Sequence, residues 1–141
     1  KLGIGVGARV ALIGAPADFD RELVPLPDDV RVTRGGRGEQ DVLVLFAADA
    51  RSLARSLPAA ARRLQPAGGL WLAWPKKSSG LATDLDFDTV QRAGLALGLV
   101  DNKVCAVNET WSGLRFVVRL ADRPKASGRG AARAPARKKK P

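Results

Sequence analysis

Histidine, methionine and tyrosine are missing from this 141-residue chain, and cysteine occurs once. Without an imidazole, every mechanism that moves a proton through histidine is excluded, and so are Cys/His zinc sites. A single cysteine cannot form a disulfide within the chain. Nowhere do roughly 18 or more apolar residues run together, as a membrane helix needs, and the basic C-terminus lacks an amphipathic pattern. The chain therefore reads as a protein with no membrane contact, and a cytoplasmic location is the default expectation. No methionine opens it, so trimming or processing of the N-terminus is expected and any targeting signal there is not readable.

What is present points to one domain with a real core: 45% of the residues are hydrophobic. The net charge is +10 and is uneven, with eight Lys or Arg against one Asp over residues 122–141, so that +7 sits in the tail and +3 in the rest. The tail is built of Arg, Lys, Ala, Gly and Pro with no hydrophobic period and is expected to be disordered. The division expected is a folded domain over 1–121 and a basic tail over 122–141.

Along the chain, Arg9 to Ile13 is a short apolar run closed by Gly14-Ala15-Pro16, as for a first buried strand and its exit turn. Asp18 to Val24 suits a short helix capped by Asp18, and Val30 to Thr33 a brief edge strand. Val42 to Phe46 is apolar throughout, which predicts burial on both faces. Ala48 to Leu64 has helical spacing at Leu53, Leu57, Ala60, Ala61 and Leu64, with Pro58 expected to split it into two pieces. Pro66 to Gly69 then ends the helix, and Leu70 to Trp74 is a central strand. Asp86 to Leu97 reads as a helix with Phe87, Val90, Gly94 and Leu97 inward and a capping box of Thr83 and Asp86. Val100 to Val107, a turn over Asn108 to Gly113, and Leu114 to Leu120 make an antiparallel edge hairpin. The fold class expected is a small α/β Rossmann-like three-layer sandwich, with a mostly parallel sheet of about six strands and a C-terminal antiparallel hairpin.

Ligands of such sheets gather where the parallel strands end. The loop after the central strand, Lys76, Lys77, Ser78, Ser79 and Gly80, offers two ammonium groups, hydroxyls and turn amides to an anion. Its glycine comes late and no helix follows directly, so it is not a Walker A loop. The plain alternative is a solvated loop. If the strands before it and before Asn108 run the same way, Gly14, Pro16, Lys76, Lys77, Ser78, Ser79, Asn108, Glu109, Trp111 and Ser112 share one edge and form the candidate ligand-binding set. Glu109 would pair with one lysine and leave the other free, or the pair would only tie the loop to the hairpin. Trp111 would stack on a base or pack over the hairpin. Thr83, Asp84 and Asp86 suit helix capping, Trp71 and Trp74 the core, and Cys105 an inert mid-strand position. No residue is assigned to catalysis or to a metal. In the tail, Arg123, Lys125, Arg129, Arg133, Arg137, Lys138, Lys139 and Lys140 suit weak, salt-sensitive, non-specific contact with nucleic acid, or serve only solubility.

The element order is similar to a shortened form of the Rossmann-like sheet of class I S-adenosylmethionine-dependent methyltransferases, with one strand-helix unit missing. More closely, Val10 to Pro16, Gly68 through Asp84-Leu85, and Lys103 to Leu114 resemble the bacterial family of unknown function called DUF 3052. The resemblance covers about Leu2 to Arg119 and is most specific at Trp74-Pro75-Lys76-Lys77 and Glu109-Thr110-Trp111-Ser112-Gly113. It implies a methyltransferase-like fold and supplies no reaction; no cofactor is assigned, and S-adenosylmethionine is the candidate that the fold offers. In the methyltransferases a glycine-rich turn follows the first strand, and an acid ending the second strand takes the ribose hydroxyls. Here Gly14-Ala15-Pro16 offers one glycine and the second strand ends in Thr33-Arg34. The function expected is that of a non-catalytic or degenerate binding domain for an anionic or nucleotide-like ligand; the alternatives are a working methyltransferase and a nucleic-acid accessory protein acting through its tail.

Overall fold

The structure, a computed structural model, describes residues 2–35 and 38–119. Six strands form one sheet: β1 (Arg9–Ile13), β2 (Arg31–Arg34), β3 (Gln40–Phe46), β4 (Leu64–Pro75), β5 (Leu99–Ala106) and β6 (Trp111–Val118). Their order is β2-β1-β3-β4-β6-β5; β1 pairs in parallel with β2 and β3, β3 in parallel with β4, and β6 runs antiparallel to both β4 and β5. The strand order thus reverses between β1 and β3, the position at which sheets of this kind bind ligands beyond the carboxyl ends of their strands.

Side chains alternate along each central strand, and their two sets fill two cores. Ala11, Leu43, Leu45, Leu70, Leu72, Trp74, Leu114 and Phe116 point to one side, where they meet Leu53, Leu57 and Ala60 of α1 (Ala50–Arg62) and Val90 of α2 (Phe87–Ala96). Val10, Leu12, Val42, Val44, Phe46, Trp71 and Ala73 point to the other, where Leu2, Ala8 and Phe19 cover them. The layer on that side is made by the N-terminal segment, a 3-10 helix (Phe19–Leu23) and the loop that follows it. Val42 through Phe46 are all buried, as their lack of alternation predicts.

Several boundaries differ from the sequence reading for tertiary reasons. α1 is one helix with Pro58 inside it, because its Leu53, Leu57 and Ala60 stripe is held against the sheet. β4 begins at Leu64 rather than Leu70: Gln40 pairs with Leu64 and Val42 with Gly69, and the residues between form an irregularity in β4, so Pro66 to Gly69 lie within the strand. β6 begins at Trp111 and sits between β4 and β5, so the hairpin inserts with its second strand inward and β5 is the edge. Arg115 and Val117 therefore do not face open water; Val117 is buried and Arg115 half-buried. On α2, Val90 and Gly94 are buried while Phe87 and Leu97 are exposed. Asp86 is itself the α2 N-cap, accepting from Thr89 N at 2.8 Å, and Thr83 Oγ1 accepts from Leu85 N at 3.0 Å instead of joining a capping box. Asp18 makes no side-chain cap to the 3-10 helix. No helix among the described residues is long and apolar enough to cross a membrane.

Candidate functional site

The sheet brings the predicted loops to one edge. β5 runs in the same sense as β4, with β6 between them, so Lys76 and Asn108 leave the sheet on the same side as Gly14. Direct bonds join the loops. Lys76 N donates to Thr110 O at 2.8 Å, and Asn108 Nδ2 donates to both carboxylate oxygens of Glu22, at 3.0 and 3.2 Å. The segment after β1, the loop after β4 and the turn after β5 therefore form one connected rim.

Most polar groups of this rim are engaged with each other. Asn108 Oδ1 accepts from Thr110 N and Trp111 N at 2.8 and 2.9 Å, an Asx turn that shapes the hairpin. Ser79 Oγ donates to Lys76 O at 2.6 Å and accepts from Leu81 N at 3.2 Å, closing the 3-10 turn Lys77–Ser79. Trp111 packs edge-on against Phe46 with ring centroids 5.1 Å apart, and Phe46 against Phe19 at 4.9 Å. Of its two expected roles, Trp111 therefore takes packing, and it lies in β6 with Ser112, which is paired opposite Trp74 and Ala106. Gly14 has φ 70°, and a Cβ there would stand 2.9 Å from Phe46 O; close approach of two strands explains this glycine. The Lys76 and Lys77 ammonium groups, the Ser78 hydroxyl and the exposed Glu109 carboxylate make no hydrogen bond or ion pair with the described residues. The pairing of Glu109 with a lysine is thus not formed.

Two further groups stand at this edge without a sequence motif that marks them as part of a site. Arg34, the last residue of β2, turns its guanidinium back over the exit of β1: Nη1 donates to Ala15 O at 3.1 Å, and Nη2 to Pro16 O at 2.8 Å and Ala17 O at 3.2 Å. The same Nη2 is bonded to the Asp20 carboxylate. The available clue is the acidic run Asp18, Asp20, Glu22 following the first strand, which an arginine across the sheet edge can meet. Asp84 is the other. Its Oδ1 accepts from Ala50 N at 2.7 Å, while Asp49 accepts from Ser52 N at 2.8 Å, so two carboxylates occupy the first-turn amides of α1. A helix start at the end of a parallel strand is where an anion would otherwise be held. Here the protein supplies its own.

The electrostatics follow from these bonds. Hydrogen bonding from Ser52 N holds the Asp49 carboxyl below its ordinary value, and Thr89 N does the same for Asp86, with a smaller contribution from the Lys77 charge. A cavity of about 270 Å³ opens beside the rim, lined by Leu2, Ile4, Phe19, Glu22, Leu23 and Val107 among others. Its lining side chains are apolar apart from the Glu22 carboxylate, and the lysine loop does not line it. Among the described residues, no group of three or more His, Cys, Asp or Glu stands together to hold a metal ion. The tail residues Arg123, Lys125, Arg129, Arg133, Arg137, Lys138, Lys139 and Lys140 lie outside the described residues.

Comparison with solved structures identifies the architecture. The chain is similar to magnesium protoporphyrin IX methyltransferase from Synechocystis PCC 6803 with bound SAH, at 10% identity over 81% of this chain and 75% of that one, with a TM-score of 0.57. It is similar to precorrin-6y C5,15-methyltransferase from Geobacter metallireducens GS-15, at 14% identity over 82% of each chain and a TM-score of 0.56. Fibrillarin of Aeropyrum pernix, crystallised with S-adenosyl-L-methionine, aligns at 14% identity over 83% of this chain and 69% of that one, with a TM-score of 0.53. No family model matches the chain, and neither does any curated protein. At these identities the likeness is one of fold: a Rossmann-like methyltransferase architecture.

In that fold a nucleoside cofactor would have its ribose near the end of β2, and the residue that ends β2 here does not supply the carboxylate that would accept from its hydroxyls. The end of β2 carries a donor, Arg34, in place of an acceptor. Its guanidinium is engaged by the carbonyls of the β1 exit and by the Asp20 carboxylate.

Proposed function

We propose that this chain is a methyltransferase-fold domain that binds an anionic or nucleotide-like ligand at the strand carboxyl edge and transfers no methyl group. The observation that carries this reading is Arg34: where the methyltransferase pattern has a carboxylate to accept from the ribose hydroxyls, β2 ends in a guanidinium engaged with the β1 exit and with Asp20. Binding is assigned to Lys76 and Lys77, whose ammonium groups have no partner among the described residues, with the Ser78 hydroxyl between the loop and solvent. Exposed ammonium groups give modest affinity that falls with salt. Ser79, Asn108, Trp111 and Ser112 belong to the turn and hairpin that hold the loop in place, while Gly14 and Pro16 shape the β1 exit beside it.

A second reading, S-adenosylmethionine-dependent methyl transfer, is favoured by the fold neighbours, two of which hold that cofactor or SAH. It requires Arg34 to swing away from the β1 exit. Calorimetric titration of the full chain separates the two. Inorganic pyrophosphate is expected to bind with an affinity that weakens as salt rises and is lost in the Lys76→Ala/Lys77→Ala double variant. Equal binding by wild type and double variant would remove the lysine assignment.

A further inference from the structure

The opposite edge of the sheet holds a second cavity, of about 320 Å³, between the glycine-rich N-terminal segment and the start of β3 and β4. Gly3, Gly5, Gly7, Asp41, Gly68 and Arg115 are among its lining residues. Three features meet there. First, Arg115 reaches from β6 across β4: a Cβ built on Gly69 would meet Arg115 Nη2 at 2.6 Å and Cζ at 2.7 Å, so the guanidinium lies flat on the glycine backbone. Second, that guanidinium is sparsely used. Its one hydrogen bond among the described residues is from Nη1 to Asn102 Oδ1 at 3.3 Å, and it has no carboxylate partner there. Third, the backbone N–H groups of Gly3, Ile4, Gly5 and Val6 make no hydrogen bond among the described residues, whereas those of Gly7 and Ala8 are bonded to Asp28 O and Gly5 O. Gly3 and Gly7 have φ of 76° and 73°, and a Cβ on Gly3, Gly5 or Gly7 would meet nothing within 4 Å, so open space faces this backbone.

The one carboxylate among the lining residues is already paired. Asp41 accepts from Arg9 N at 2.8 Å, Nε at 3.2 Å and Nη2 at 3.3 Å, and that side-chain bond holds its carboxyl below the ordinary value. Lys103, opposite Arg115 in the β5–β6 ladder, adds a further positive charge. We infer that this cavity is a binding site for a phosphomonoester group, with Arg115 donating to its oxygens and the N–H groups of Gly3, Gly5 and Val6, which have no partner among the described residues, completing the cradle. A planar guanidinium matches two phosphate oxygens at once, and successive free amides next to a positive-φ glycine form an anion-holding concavity. The site is separate from the Lys76–Ser79 edge and does not depend on it.

The test is an amide-shift titration of the isotopically labelled full chain with glycerol phosphate, followed by nuclear magnetic resonance. Saturable shifts are expected at Gly3, Gly5 and the Arg115 Nε–H, with an affinity about tenfold weaker in Arg115→Gln and full affinity in Lys76→Ala/Lys77→Ala. Gly69→Ala keeps every charge and a compatible backbone yet displaces the guanidinium, and it should weaken binding comparably. Absence of shifts at the glycine segment overturns the site. So does wild-type affinity in both Arg115→Gln and Gly69→Ala, or a response confined to Lys76–Ser79.

Discussion

The two faces of the sheet are finished in different ways. One is covered by two helices with carboxylate caps, whose Leu53, Leu57, Ala60 and Val90 interlock with Leu43, Leu70 and Phe116. The other is covered by irregular backbone, closed by an aromatic line of Phe19, Phe46 and Trp111 and by the indole of Trp71, whose Nε1 donates to Leu2 O at 2.9 Å. The 270 Å³ and 320 Å³ cavities both open beside this second face. Helices bring whole stripes of side chains into register with a sheet, whereas loops leave gaps and unpaired backbone, which is where a small domain has room for a ligand.

If the loop-covered face carries as much of the fold's stability as the helical one, Trp71→Ala should be more damaging than any single change on the helical face. Removal of this fully buried ring and of its bond to Leu2 O should cost about 3–5 kcal/mol in urea unfolding. A cost near that of a surface change would mean that the helix-covered face stabilises the domain alone. On the helical face, Gly94→Ala sharpens the contrast. The added Cβ would run into the Phe116 ring, with Cδ2 at 2.5 Å, so the variant should lose about 1–3 kcal/mol by overpacking although alanine favours a helix. Stabilisation instead would show that the helix can move off the sheet.

The smallest effect is one of pH and also belongs to the helical face. Asp49 and Asp86 have carboxyls depressed by their cap bonds, so their contribution is complete above the ordinary carboxylate value of about 3.9 and is lost as the pH falls through the lower folded value. The melting temperature should therefore decline on acidification below about pH 4, and Asp86→Asn, which keeps an acceptor but does not titrate, should decline less steeply.

Local signals are enough for much of this fold. Arg9–Ile13 has the bounds its apolar run predicts, and Val42 to Phe46 and Leu70 to Trp74 stand at the centre of the sheet as their composition requires. The departures are those that depend on partners distant in sequence. Pro66 to Gly69 read as punctuation, yet β3 holds them in a strand; Pro58 reads as a break, yet the sheet holds its helix together. The candidate edge is legible as a convergence of loops because strand direction alone decides it. The use of its side chains is not: Asn108 and Ser79 turn inward to their own backbone, and Arg34 crosses to a neighbouring strand exit, choices fixed by geometry rather than by residue type.

Whether Arg34 keeps a nucleoside cofactor from the strand edge is decided by calorimetric titration of S-adenosylmethionine into the wild-type chain and into Arg34→Ala. No binding in the micromolar range to the wild type is expected. Micromolar binding to the wild type, with Arg34 in place, would contradict this role for Arg34 and return the chain to the working methyltransferases.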